Sequence, residues 1–283
     1  MRVGRRQFTA GPTAALLGLG ADTETVGQKP EASVKAGASN VHHYFFKDPT
    51  FETIFVTSLG RAYHCGGNVG KVFYLTRQVE DGNFESAYLA FRQAGDESRQ
   101  IAEESAGSGH TESARQAYLW AQNFYDSATY FIDGSKDPTR FLPTWELLYD
   151  CWLKAMPLHE PAIEAVRIPY ESTELHGFFL RGRGTAKRRP LLILCNCSDG
   201  SLLDMWLWGG AGALARGYDC PTFDGPGQGY ALWKQKLYFR PDWEKVISPV
   251  VDYALSRREV DPKRIALAGG EPRRLLGTPG RRL

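Results

Sequence analysis

Two glycine-punctuated stretches hold the residues whose types and spacing could do chemistry: Asp224-Gly-Pro-Gly-Gln-Gly229 and Gly269-Gly270-Glu271-Pro272. The first follows a run, Tyr218 to Phe223, that reads as a strand. Gly225, Gly227 and Gly229 suggest a phosphate-cradling loop, but neither the Lys-Ser/Thr of a P-loop nor a dinucleotide pattern follows. A tight turn at the rim of a pocket fits better, with Asp224 and Gln228 shaping the rim by hydrogen bonding rather than carrying protons. The remaining reactive side chains gather less. Cys65, Cys151, Cys195, Cys197 and Cys220 form no CxxC pair and have no His at zinc-finger spacing. Cys195 and Cys197 share one face of an expected strand, too close along it for an easy disulfide, and read as small buried side chains. His110, among small polar residues, reads as structural. His42-His43 has no carboxylate or Cys at useful spacing, so no metal site and no cofactor are expected.

The elements that must position these residues are of two kinds. From Phe51 to Leu158 apolar residues recur at spacings of three and four, as in Phe84, Tyr88 and Phe91. Thr111 is expected to cap a helix carrying Ala114, Tyr118, Ala121, Tyr125 and Ala128, and Trp145 to Met156 reads as one more helix. After Pro161 the pattern changes. Ile163–Pro169 and Leu175–Leu180 read as antiparallel strands, and Leu191–Cys197 as a strand buried on both faces. Leu202–Arg216 reads as a helix, Tyr218–Phe223 as a strand, Trp243–Ser256 as a helix and Arg264–Ala268 as a short strand. This order predicts an α/β class: a mostly parallel sheet with helices on both sides, behind an all-α unit.

Length and composition narrow the classes. At 283 residues the chain can bury a sizeable core, and a net charge of +2 with dispersed Lys and Arg argues against nucleic acid as partner. Near the start, Arg5-Arg6-Gln-Phe8 precedes a mildly apolar, acid-free run from Ala10 to Ala21. That arrangement resembles a bacterial twin-arginine export signal, and it is too short and too rich in Gly and Pro to span a bilayer. The expected organisation is an export signal over 1–21, a linker over 22–49, an all-α unit over 50–158, an α/β unit over 160–270 and a tail of different character over 271–283. The expected location is exported or periplasmic, or cytoplasmic if the basic start is not a signal.

Order and spacing across both units then carry a specific resemblance. Phe223-Asp-Gly-Pro-Gly-Gln-Gly229 is followed ten residues later by Phe239-Arg-Pro-Asp-Trp-Glu244, and Gly109-His110, Ser113-Ala-Arg115 and Ala117-Tyr118 precede them in the helical part. From about Phe51 to Gly270 the chain resembles the α/β-hydrolase family that includes 2,6-dihydropseudooxynicotine hydrolase and fungal polyketide-shortening hydrolases. The resemblance implies a helical cap over a hydrolase core, five strands of which this chain carries. It also implies hydrolysis by a Ser–Asp–His triad of a C–C bond or an ester. The partners expected are a small, aromatic or ketone-containing substrate and, as one option, a second copy of the chain.

Against that pattern the catalytic turn is wrong. In this fold a G-x-S-x-G turn after the fifth strand lifts the serine above the sheet. Gly269-Gly270 begins it, but Glu271 stands where the serine should, and Pro272 has no N–H to give an oxyanion. The other oxyanion donor is expected from Cys197 or Ser198 after the third strand, with Cys197 where relatives carry Gly. One permitted back-translation of the tail, shifted by a base, encodes Ser-Leu-Gly-Gly-Tyr from position 271. A frameshift is therefore expected at the codon before Glu271, leaving the acid and the histidine of the triad outside the sequence. The rival readings are a pseudoenzyme that binds a small aromatic ligand and a helical interaction module.

Overall fold

Local chemistry sets the helices first. The structure, a computed structural model, describes residues 43–197, 200 and 202–269. Asp48 starts α1 (Pro49–Gly60) by accepting from the N–H groups of Thr50 and Phe51, with Pro49 in the first turn. Asn68 and Asn83 cap α2 (Val69–Leu75) and α3 (Phe84–Gly107) in the same way. α4 (Thr111–Thr129) departs from expectation: Thr111 is its first helical residue, and His110 holds the cap position without a side-chain bond. His110 itself is exposed, and its backbone N–H closes α3 on Ser105 O at 2.8 Å. α5 (Phe141–Ala155) starts four residues earlier than the apolar pattern suggests.

The sheet follows. β1 (Glu164–Tyr170) and β2 (Thr173–Leu180) form a hairpin; β3 (Arg189–Cys195), β4 (Cys220–Phe223) and β5 (Val260–Gly269) complete the order β1-β2-β4-β3-β5. β1–β2 and β2–β4 pair antiparallel, β3–β4 and β3–β5 parallel. The sheet is therefore mixed, with only β2 running against the others. The helix expected over Leu202–Arg216 is shorter and irregular: Leu202–Asp204 is a turn, Trp206–Gly210 a wide π turn, and α6 covers Ala211–Ala215. Long-range bonds compete for this backbone: Leu202 N–H goes to the Asp224 carboxylate, and Leu202 O is shared between Thr222 Oγ1 and Met205 N, both at 3.3 Å.

Helices cover both faces. Tyr118, Tyr125 and Trp152 from α4 and α5 share a core with Phe178, Leu180, Leu194 and Cys220 of the sheet. On the other face Val246, Val250 and Ala254 of α8 (Glu244–Ser256) meet Ile168, Leu191, Ile193 and Val260. A separate aromatic core, Phe51, Phe55, Phe91, Phe124 and Phe131, holds the helical part together. Among the described residues β1 and β5 are the two edge strands, and Leu267 on β5 is 51% exposed. Among the described residues no helix is long and apolar enough to cross a membrane.

Candidate active site

Register assembles the site. Cys195 pairs with Phe223 on one side and with Gly269 on the other, so β3, β4 and β5 end level with one another. The residues that leave those ends are Asn196-Cys197 and Asp224, while Gly270, Glu271, Pro272 and Ser198 lie outside the described residues. The rim is thus built from Asn196, Cys197 and the loop Asp224–Gly229.

Asp224 is the hub. It is fully buried, and its carboxylate accepts from Asn196 Nδ2, Leu202 N and Tyr230 N, each at 2.7 Å. Burial pushes its carboxyl up to about 6, against the lowering pull of the Tyr230 and Leu202 N–H groups and the Asn196 amide. Gln228, equally buried, closes the ring: its Oε1 accepts from Gly225 N at 3.0 Å, and its Nε2 donates to the carbonyls of Asn196 (2.9 Å) and Cys197 (3.0 Å). These two side chains hold the strand-end backbone. Two glycines are required. Gly227 has φ +88° beneath Phe239, and at Gly229, with φ +29°, a Cβ would collide with the Asp224 carboxylate.

The second sequence motif packs onto the first. Leu237 O accepts from Gly227 N at 2.8 Å, the Trp243 ring fills the space a Cβ at Gly225 would need, and Arg240 reaches Tyr170 Oη at 2.6 Å and Asp242 Oδ1 at 2.6 Å. The loop of 224–229 and the segment 237–243 are one unit.

Aromatic side chains stand beside this rim. Trp145 stacks on Tyr149 at 5.2 Å; Tyr149 faces Tyr230 at 5.5 Å; Tyr230 stacks on His176 at 3.8 Å. Tyr230 opens α7 (Gly229–Trp233), directly after the glycine loop. Burial and the nearby Asp224 raise the Tyr149 phenol above its ordinary range, so it stays neutral. Burial and Arg167 hold the His176 imidazole down at about 4. None of Asn196, Tyr149, Tyr230 or His176 was singled out in the sequence; Asn196 alone left a signal there, as a polar residue ending an apolar strand.

Nothing nucleophilic is assembled by these residues. Burial raises the Cys195 thiol to about 12, and among the described residues no serine hydrogen-bonds to a histidine and no His/Cys/Asp/Glu cluster could hold a metal. The arrangement can position backbone, exclude water and present aromatic surface.

Comparisons agree on a lineage. No family model matches the chain. Hydrolase LUC6 of Fusarium sp is 30% identical over 239 residues, covering 80% of this chain and 56% of that protein. Alpha/beta hydrolase psoB of Aspergillus fumigatus is 30% identical over 240 residues, covering 80% and 54%. The crystal structure of a 2,6-dihydroxy-pseudo-oxynicotine hydrolase superposes with a TM-score of 0.62 at 21% identity, covering 74% of this chain and 57% of that one. The chain therefore spans about half the length of the curated relatives it matches.

Proposed function

We propose, for a chain homologous to the α/β hydrolases over four-fifths of its length, that it carries the substrate-binding part of a serine hydrolase. On this reading the whole enzyme cleaves a C–C bond or an ester of a small, aromatic or ketone-containing molecule. The observation that carries it is the level ending of β3, β4 and β5 at Cys195, Phe223 and Gly269, behind a fully bonded Asp224–Gln228 rim. That is where a nucleophile turn after β5 and an oxyanion donor after β3 would meet. The aromatic row Trp145, Tyr149 and Tyr230 supports the substrate class, since flat apolar rings need such surface.

The polypeptide as written has no turnover of its own on this reading. Glu271 offers no hydroxyl and Pro272 no N–H. Purified chain should hydrolyse a p-nitrophenyl ester no faster than a heat-killed control; clear turnover overturns the proposal. Genomic DNA across codons 270–283 tests the frameshift reading, which fails if no alternative frame encodes Ser-Leu-Gly-Gly. The same aromatic row also favours a second reading, retention of ligand binding without cleavage, measurable as saturable quenching of tryptophan fluorescence by an aromatic ketone.

A further inference from the structure

Arg61 is a buried cation that hydrolysis does not call for. It lies in the short turn after α1 and is 7% exposed. Its Nη1 donates to Asn123 Oδ1 at 2.9 Å and Asp126 Oδ2 at 2.6 Å on α4, and its Nη2 to Asp204 Oδ1 at 3.0 Å in the turn beyond β3. Burial lowers its basicity, yet Asp126 and Asp204 more than offset that and hold the guanidinium firmly charged. One guanidinium thus joins a carboxylate of the helical part to a carboxylate of the sheet part. A second bond runs in parallel, from Gln122 Nε2 on α4 to Leu203 O at 3.2 Å.

The turn so held is the far end of the strand-end segment. Asp224 takes Leu202 N–H from the sheet side, and Thr222 Oγ1 donates to Leu202 O. Asp204 O in turn accepts from Leu207 N (2.9 Å) and Trp208 N (3.0 Å). The near end, Asn196-Cys197, is held by Gln228. Of these anchors, only Arg61 and Gln122 belong to the helices.

We propose that Arg61 is a positioning residue, through which the helical part sets the backbone of the turn from Leu202 to Trp208. This rests on reading the strand-end segment as the oxyanion-donor loop, but the test below needs no catalysis and is decided separately from that reading. Removing the guanidinium leaves two buried carboxylates without their shared counter-ion, so the turn opens more readily even though Leu202, Leu203 and Met205 stay packed in the core.

In the full chain, Arg61→Met should speed hydrogen exchange at Leu202, Met205, Leu207 and Trp208 by at least about tenfold, while amides in the middle of α3 keep their wild-type rates. Arg61→Lys keeps the charge but not the planar fork that reaches both carboxylates, and should recover part of the protection. Asp204→Asn leaves the Arg61–Asp126 pair intact and should still accelerate the same four amides, which keeps the test open if the Met variant does not fold. Unchanged exchange at these amides in the variants overturns the proposal. Equal acceleration across α3 and the turn overturns it too, because Arg61 would then be general packing.

Discussion

Asp224→Asn separates the charge of the rim's central carboxylate from its shape. In the native protein the carboxyl titrates near 6 instead of its ordinary 3.8, because it is fully buried. A rise of about two units corresponds to about 3 kcal/mol of linkage between protonation and folding. The sign follows from which state holds the proton more tightly. The folded state does, so this contribution is fully present below about pH 4 and is lost as pH rises through 6. Between pH 5 and pH 7.5 the loss is about 1.4 kcal/mol. An asparagine cannot titrate and meets Tyr230 N–H with one donor too many, so the variant is less stable throughout and lacks this pH term. Urea unfolding followed by tryptophan fluorescence, run from pH 5 to 7.5 on both proteins, should show the wild-type advantage shrinking by about that amount as pH rises. Parallel profiles would refute the reasoning, since Asp224 would then keep an ordinary carboxyl in spite of its burial.

Gly229→Ala should cost about 2 kcal/mol or more, read as a lower urea midpoint, because the added methyl group meets the Asp224 carboxylate at a backbone angle that disfavours side chains. Gln228→Leu removes the donor shared by the Asn196 and Cys197 carbonyls; about 1–3 kcal/mol should be lost by the same measurement. Leu267→Lys, on the exposed edge of β5, should reduce aggregation in dynamic light scattering with little change in midpoint. Export is proposed from Arg5-Arg6-Gln-Phe8 and the acid-free run Ala10–Ala21, which lie outside the described residues; replacing both arginines with Lys should retain a fused periplasmic reporter in the cytoplasm, and unchanged export would remove the twin-arginine reading.

Much of the frame was legible because it rests on local patterns. The apolar spacing in α3 and α4 and the β-branched hairpin each announce their element without help from tertiary contacts. The failures lie where long-range bonds override local preference. Leu202–Asp204 has a helical sequence pattern, but its polar backbone is claimed by Asp224 and Thr222, which are twenty or so residues away in the chain and invisible to periodicity. The aromatic row failed to show for the same reason, since Trp145, Tyr149, Tyr230 and His176 come from α5, α7 and β2 and meet only in the fold. The glycine loop was readable as a turn, whereas its dependence on Phe239 and Trp243 was readable only as an order of motifs.

The rim and the reactive turn differ in what they require. The side-chain bonds of Asp224 and Gln228 that shape the rim run among residues between Asn196 and Tyr230, Asp224 N–H donates to His176 O at 3.1 Å, and Arg61 and Gln122 add bonds from the helical part. The buried carboxylate of Asp224 and amide of Gln228 are paired within this rim, which offsets the cost of burying them. On the proposed reading, binding and turnover should separate experimentally: ligand affinity should track Asp224, Gln228 and Tyr149, and turnover the residue at position 271. An aromatic ketone bound equally well by the wild-type chain and by a Tyr149→Ala variant would break that separation, because the row beside the rim would then contribute nothing to recognition.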